Sequence, residues 1–243
     1  MISNTQPVYR CRDLVKRRQA EGSDFELHVP SLRIHAGEVV ILRGASGCGK
    51  STVLDLLAMA LRPDAVDQFY FCPRDGVSVD VKRGWAGDAL DALGRQRGEH
   101  IGYILQTGGL LPFLTVRENI AASCRLLGLD PVRPVERLAK QLDIQRQLDK
   151  HPNQLSLGER QRVAIARAMA HGPRVILADE PTASLDPLNA IVIRDLLLDL
   201  VRQSGIAAVI ATHDWDLDAI PGARVLQHRL ERVGRLVRSS FSG

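Results

Sequence analysis

The sequence has few aromatic residues and no long hydrophobic run. Phe, Trp and Tyr make up 4% of the 243 residues, which argues against an aromatic platform that stacks on single-stranded nucleic acid. The longest apolar runs, Leu56–Leu61 and Ile206–Ala211, have six residues each, whereas a transmembrane helix needs roughly 18. The first seven residues contain no apolar core, so we expect no secretory signal and a cytoplasmic location.

Paired metal or disulfide motifs are also missing. The four cysteines (Cys11, Cys48, Cys72 and Cys124) form no CxxC pair, so we expect reduced thiols rather than a disulfide framework or a zinc site. Six histidines show no ligand spacing and are expected at structural or surface positions. They are His28, His35, His100, His151, His171 and His228.

The net charge is +4, which is weak evidence for a nucleic-acid or lipid partner in a chain of this length. Basic residues nevertheless form two clusters. The N-terminal cluster contains Arg10, Arg12, Lys16, Arg17 and Arg18. The C-terminal cluster contains Arg224, Arg229, Arg232, Arg235 and Arg238. We expect the C-terminal arginines to lie on the solvent-exposed face of a hairpin, with contact to anionic lipid as the alternative.

Short apolar runs of the buried-strand type alternate with helical patterns. The runs are Val39–Leu42, Ile101–Leu105, Val175–Ala178 and Ala207–Ala211. One amphipathic helix is predicted from Leu54 towards Pro63, and another over Leu188–Val201. This alternation predicts an α/β fold with a mainly parallel sheet.

Two segments depart from the alternation. Residues 64–100 give no clear pattern, and residues 115–171 indicate helices without a strand. A helical insertion in an α/β domain is the simplest interpretation of the second segment. Residues 224–237 alternate loosely and are typical of a hairpin that turns near Val233 and Gly234.

A glycine-rich motif between a predicted strand and a predicted helix indicates a phosphate site. Residues 44–51 satisfy G-x-x-x-x-G-K-[ST], the P-loop or Walker A pattern. Backbone N–H groups would surround a phosphate at the positive end of the helix, Lys50 would reach the β- and γ-phosphates, and Ser51 would bind Mg²⁺. The predicted nucleotide-contacting residues here are Gly44, Ala45, Ser46, Gly47, Cys48, Gly49, Lys50, Ser51 and Thr52.

A second motif places two carboxylates at a strand end. The run Val175–Ala178 is followed by Asp179 and Glu180, and strand ends of a parallel sheet lie beside its phosphate loop. We expect Asp179 to hold Mg²⁺ and Glu180 to polarise the attacking water.

The segment 155–168 completes the pattern. It resembles the signature motif of ATP-binding cassette (ABC) ATPases and the helix after it, and it lies ahead of the Asp179 strand as in that family. Ser156 and the Gly158 amide open a helix, where N–H groups and the helix dipole favour an anion. Three further elements occur in family order, namely Gln106 (Q-loop), Ser184–Asp186 (D-loop) and His213 (switch histidine).

The resemblance implies a P-loop NTPase (RecA-like) core with an N-terminal antiparallel β region and an inserted helical subdomain. It implies one domain over residues 1–243, with the nucleotide-binding core at 1–111 and 173–243 and the helical subdomain at about 112–172. Gln106, Glu180 and His213 would be catalytic, and Gln106 would join Ser51 and Asp179 at Mg²⁺. The signature side of the nucleotide would be held by Ser156, Gly158, Glu159 and Asp186 of a second copy.

Three positions differ from the usual family pattern. Leu157 replaces the first glycine of the signature, and Glu159 replaces its glutamine. The adenine-stacking aromatic would fall near Arg18, whose guanidinium plane can stack instead.

The Q-loop and signature segments look most like cassettes of the macrolide-exporter, lipoprotein-release and cell-division type. The resemblance therefore implies an ATP-driven homodimer that binds ATP and Mg²⁺ under a separate membrane permease, on the cytoplasmic face of the inner membrane. No nucleic-acid partner is expected. Two alternatives stay open, namely a cassette ATPase that acts on nucleic acid or ribosomes, and a P-loop kinase.

Overall fold

The computed structural model describes residues 6–20, 23–87, 89–213, 215 and 220–243. Its strands are β1 (Tyr9–Ala20), β2 (Ser23–Ile34), β3 (Val39–Arg43), β4 (Gln68–Arg74), β5 (Val77–Asp80), β6 (Ile101–Ile104), β7 (Val175–Asp179), β8 (Ala207–Thr212), β9 (Arg224–Val233) and β10 (Leu236–Ser242). Its helices are α1 (Lys50–Leu57), α2 (Val81–Ala86), α3 (Leu90–His100), α4 (Val116–Leu126), α5 (Val132–Gln141), α6 (Leu157–Met169) and α7 (Pro187–Ser204).

One half of the sheet is parallel and contains the four predicted apolar strands. Across the whole sheet the strand order is β5-β4-β1-β2-β10-β9-β3-β8-β7-β6. Strand β3 pairs in parallel with β8 and β9, and β7 pairs in parallel with β6 and β8. These strands are buried on both faces, which is why their sequences are continuously apolar. Parallel pairing brings the carboxyl ends of β3, β7 and β8 to one edge.

The other half of the sheet is mainly antiparallel, as predicted for the N-terminal region. Strand β1 pairs with β2 and β4, and the C-terminal hairpin of β9 and β10 joins the two halves because β10 lies beside β2 and β9 beside β3. The hairpin turn falls after Val233, as predicted.

Arg229, Arg232 and Arg235 are exposed, as expected, whereas Arg224 and Arg238 are half-buried and form ion pairs. Arg238 donates to Glu26 at 2.8 Å, and Arg224 donates to Glu38 at 2.6 Å and to the carbonyl of Arg33. Both carboxylates lie on neighbouring strands or loops, so the pairing depended on strand order and could not be read from the C-terminal segment alone.

The segment between residues 64 and 100 is resolved as β4, β5, α2 and α3. Phe69 and Phe71 of β4 are fully buried beside Tyr9, whose ring lies 5.1 Å from that of Phe71. Helix α1 ends at Leu57, earlier than the predicted end near Pro63. The reason is that Met59 adopts a left-handed backbone conformation with φ of 55°, which ends the α-helical geometry.

Residues 116–169 contain helices and short 3₁₀ turns, in agreement with the predicted helical segment. Two capping boxes fix helix starts. Thr115 and Glu118 cap α4, and Ser156 and Glu159 cap α6. In each box the side-chain oxygen of the first residue accepts from a backbone N–H that the helix leaves unpaired. Within the described residues, no helix is both long and apolar enough to cross a membrane.

Candidate nucleotide site

The glycine-rich loop connects β3 to α1 at the carboxyl edge of the parallel strands. Gly47 and Gly49 have φ of 77° and 101°, a region that residues with a Cβ avoid. Lys50 is 5% exposed, and its ammonium donates to the carbonyl oxygens of Gly44 at 2.7 Å and Ala45 at 3.2 Å. The loop therefore folds around the ammonium group of Lys50, which is the first residue of α1.

Three side chains form a row of close polar contacts, one from the start of α1 and two from the ends of β7 and β8. Lys50 Nζ lies 3.1 Å from Glu180 Oε1, and Glu180 Oε2 lies 2.8 Å from His213 Nδ1. The Glu180 backbone has a φ of 46°, and its N–H donates to the carbonyl of Ala211 at 2.9 Å. Strand β8 thereby holds Glu180 in a left-handed conformation that is uncommon for a residue other than glycine.

Asp179 occupies the last position of β7, next to the loop. Burial raises the pKa of its carboxyl, and the negative charges of Glu180 and Asp55 act in the same direction, while the Ser51 hydroxyl donates to it and lowers the pKa. Its Oδ1 atom is buried and has no hydrogen-bond partner among the described residues. This oxygen lies beside a serine hydroxyl and next to the predicted phosphate loop. Such a group fits Mg²⁺, because Mg²⁺ is bound by one or two carboxylates together with substrate phosphates.

Residues predicted from separate motifs line one cleft over the loop. Arg18 comes from β1, Gln106 follows β6, and Glu180 and His213 follow β7 and β8. The loop and the first turn of α1 contribute most of the other lining residues. They are Ser46, Gly47, Gly49, Lys50, Ser51 and Thr52. The sequence prediction thus named residues that the fold does bring together.

The signature residues lie in a second pocket of the same chain. Ser156, Gly158 and Glu159 at the start of α6 face Asp186, which caps α7 by accepting from the Asn189 N–H. The Ser156 N–H donates to Glu159 at 2.8 Å and holds the pKa of that carboxyl below its usual range. Because these four residues line a pocket other than the loop cleft, the structure does not place them on a nucleotide bound by their own loop.

Some contacts at the site were not foreseen. Asp55 of α1 also lines the loop cleft, and the Tyr103 hydroxyl donates to it at 3.0 Å. Arg167 of α6 donates to the carbonyls of Gly108 at 3.2 Å and Gly109 at 2.6 Å, and so holds the segment after Gln106. These pairs join residues that are distant in sequence, so only the spacing of Asp55 one helical turn after Ser51 offered a signal.

The site defines a P-loop nucleoside triphosphatase. It combines a strand, a glycine loop around a buried lysine and a helix with an Asp–Glu pair at the end of β7. Residues 27–183 match the family described as ABC transporter. The chain therefore belongs to the ABC transporter ATPases.

Two individual relatives support the assignment to this family. The chain is 39% identical over 218 residues to the lipoprotein-releasing system ATP-binding protein LolD of Paramagnetospirillum magneticum, which covers 85% of this chain and 89% of the relative. It is 37% identical to the macrolide export ATP-binding/permease protein MacB of Marinobacter nauticus, which covers 87% of this chain and 32% of that protein.

A solved structure shares the fold. The dimeric structure of MJ0796, a bacterial ABC transporter cassette, has a TM-score of 0.72 and 28% identity, and covers 95% of this chain and 94% of that one. A second dimeric structure of the same cassette, in a post-hydrolysis state with ADP and phosphate, has a TM-score of 0.70. The chain is thus an ATP-binding and ATP-hydrolysing subunit of the ABC transporter class.

Proposed function

We propose that this ATPase drives a separate membrane permease of the lipoprotein-releasing kind, from the cytoplasmic face of the membrane. The observation that carries the proposal is the similarity to lipoprotein-releasing system ATP-binding proteins, two of which are 39% and 37% identical to this chain over 218 and 217 residues. These relatives are named as the ATP-binding proteins of a releasing system, which supports a permease as the partner of this chain.

The first part of the proposed mechanism is phosphate binding. Backbone N–H groups of residues 44–52 and the α1 terminus hold the β-phosphate, and Lys50 pairs with the β- and γ-phosphates. Arg18, which lines the same cleft, stacks on the adenine. Lys50 already has Glu180 as a partner, so a bound phosphate shares or replaces that carboxylate.

The second part is hydrolysis. Ser51, Asp179 and Gln106 would hold Mg²⁺, which neutralises the charge that develops on the phosphates. Glu180 accepts a proton from the attacking water, or orients it, and His213 holds Glu180 in position through the 2.8 Å contact. Both side chains come from strand ends, so the fold fixes their separation before the phosphate binds.

The third part is dimer formation. The signature pocket with Ser156, Gly158, Glu159 and Asp186 lies away from the loop cleft of its own chain. We infer that it binds the γ-phosphate side of a nucleotide held by a second copy, so that two copies enclose two ATP molecules. The Ser156 hydroxyl and the start of α6 supply N–H and O–H donors for that anion.

The permease is proposed to contact the cleft between the Gln106 segment and the helices 116–169. Phe113 in this region is 72% exposed, and an aromatic side chain of this exposure is typical of a contact residue. Leu230 on the C-terminal hairpin is 60% exposed and serves as a matched control.

The experiment is affinity purification of the tagged chain from detergent-solubilised membranes. We expect an integral membrane protein with several spans to co-purify with the wild type and with Leu230→Ser, and to be lost from Phe113→Ser, while all three bind ATP. Co-purification of nucleic acid or ribosomes in place of a membrane protein would contradict the proposal and favour the alternative cassette class.

A further inference from the structure

The C-terminal hairpin contacts the back of the phosphate loop through a short hydrogen-bond chain. Ser239 of β10 is fully buried, and its hydroxyl donates to the backbone carbonyl of Cys48 at 2.5 Å. His228 of β9 lies with Nε2 at 3.0 Å from the same hydroxyl. Two residues near the C-terminus thereby reach a peptide group inside the loop motif.

The direction of each proton follows from the chemistry of the three groups. A carbonyl can only accept, so the single hydroxyl proton of Ser239 points to Cys48. The remaining bond therefore requires His228 to donate from Nε2–H, which places a proton on Nε2. Burial lowers the pKa of His228, and the charge of Lys50 acts in the same direction.

The imidazole has little freedom to leave this position. Its ring lies 5.1 Å from that of Phe241. On the other side it packs against Gly44, because a Cβ built at Gly44 would lie 3.3 Å from His228 Cγ. The hairpin therefore presents a fixed donor to Ser239 and also covers the first residue of the loop.

Holding the Cys48 carbonyl sets the direction of the next N–H group. In a planar trans peptide the C=O and the following N–H point in opposite directions. A Cys48 carbonyl that points to β10 therefore turns the Gly49 N–H to the other side of the peptide, and Gly49 lines the loop cleft. Gly49 has a φ of 101° and no Cβ to resist rotation of this peptide.

We propose that Ser239, oriented by His228, is a positioning residue that fixes the Cys48–Gly49 peptide with its N–H directed at the bound phosphate. Without this anchor, the peptide rotates among several orientations, and only some of them bind the anion. The inference rests on the proposed role of residues 44–52 as the phosphate site.

The test compares His228→Gln with His228→Asn in the full chain. A glutamine amide can place an N–H donor near the position of Nε2, whereas the shorter asparagine reaches only the position of Nδ1. ADP is titrated by calorimetry, and ATP hydrolysis gives kcat and KM. We expect His228→Gln to stay within about threefold of the wild type in ADP affinity, and His228→Asn to bind about tenfold more weakly, a factor that corresponds to 1.4 kcal/mol.

Ser239→Ala is expected to match His228→Asn. It should raise the KM for ATP about tenfold and change kcat at saturation less than about threefold, because the lost N–H contact is made equally before and during the reaction. Leu226→Ala controls for a loosened hairpin, since it removes a fully buried side chain of β9 and leaves the hydrogen-bond chain and the ring of Phe241 unchanged. At an equal loss of thermal stability, this variant should retain its affinity for ADP.

Three results would overturn the inference. They are wild-type ADP affinity in Ser239→Ala, equal affinities of the two His228 variants, or the same loss of affinity in Leu226→Ala. If Ser239→Ala does not fold, the two His228 variants decide the outcome. A wild-type chain that binds no ADP would instead refute the proposed phosphate site, and the inference would fall with it.

Discussion

Lys50 and Glu180 form an ion pair of 3.1 Å at the centre of the loop cleft, and both side chains are largely buried. The pair joins the residue proposed to bind phosphate to the residue proposed to activate water. A phosphate that approaches Lys50 competes with this carboxylate and, by its own charge, repels it. We therefore expect nucleotide binding to free the Glu180 oxygen that faces Lys50, while the other oxygen keeps its 2.8 Å contact with His213.

Replacing Glu180 by glutamine should separate binding from hydrolysis. Glu180→Gln removes the proton acceptor, so we expect steady-state ATP hydrolysis to fall by a factor of about 10² to 10⁴. ATP affinity should be equal or higher, because a neutral amide competes less for Lys50. Phosphate release and ATP titration measure the two effects, and Glu136→Gln on the exposed face of α5 is the matched control. Hydrolysis at the wild-type rate would refute the assignment of Glu180.

Removal of the loop lysine should weaken ATP binding, in contrast to Glu180→Gln, which should keep it. Lys50→Ala loses the charge that pairs with phosphate, and a charge-assisted contact contributes about 1.5–3 kcal/mol, so we expect the dissociation constant for ATP to rise about 10- to 100-fold. Lys140→Ala, at an exposed position of α5, is the control. Unchanged ATP affinity in equilibrium titration would argue against the loop as the phosphate site.

Acid should weaken Mg²⁺-dependent ATP binding through Asp179. Only the ionised carboxylate binds a cation, and burial raises the pKa of Asp179. Protons therefore begin to compete with Mg²⁺ as the pH falls towards that raised pKa. This happens at a higher pH than for an ordinary aspartate, whose pKa is about 3.9. The apparent Mg²⁺ affinity of the ATP complex, measured by titration over a pH series, should fall in this range. Asp179→Asn should bind Mg²⁺ weakly at every pH, and a pH profile like that of the wild type would contradict the prediction.

The two capping boxes allow a charge test of the signature helix. Aspartate is as good an N-cap as serine, so Ser156→Asp should leave the stability of α6 nearly unchanged. It adds a negative charge where we propose that the partner's γ-phosphate binds, and ATP-dependent dimerisation should be lost. Thr115→Asp makes a similar change at the cap of α4 and should still dimerise. Each change is introduced into the Glu180→Gln variant, and size-exclusion chromatography in the presence of ATP measures how much of each double variant is dimeric. If both double variants dimerise, or if both remain monomeric, the proposed role of Ser156 is refuted.

Glu26 should make the stability of the fold sensitive to acid. A hydrogen bond from Arg17, with a second from Arg238, holds the pKa of this buried carboxyl below its usual range. A lowered pKa in the folded chain means that the contribution is complete above the pKa of the unfolded chain, about 4.3, and is lost as the pH falls through the folded pKa. Glu26→Gln should therefore be less stable at pH 7 by about 1–3 kcal/mol.

Below pH 4 the difference in the free energy of unfolding between wild type and Glu26→Gln should shrink. Urea denaturation at several pH values measures it, with Glu136→Gln as the control. A difference that stays constant from pH 7 to pH 3 would show that the charge of Glu26 does not contribute.

Much of the secondary structure followed from local patterns. The four apolar strands were predicted because strands buried on both faces are continuously apolar. The start of α6 was predicted from the signature resemblance together with Ser156, a residue type that is favoured at helix N-caps. By contrast, β4 could not be recognised. Its phenylalanines are buried only because β1 brings Tyr9 against them, which is a contact between distant segments.

The candidate site divides in the same way. The sequence by itself determined the chemistry of the loop, because Gly47 and Gly49 need positive φ and Lys50 follows at a fixed distance along the chain. It also determined the helix start at Ser156. These features act over a few residues, within reach of local geometry.

Only the tertiary structure decided which of these groups meet. Parallel pairing of β3, β8 and β7 brings Lys50, His213 and Glu180 into one row, and places Ser156 in a different pocket. It also brings Ser239 to Cys48 across a separation of 191 residues. The physical reason is that a hydrogen bond requires contact within about 3 Å, and contact between distant residues is fixed by strand order and packing rather than by local sequence.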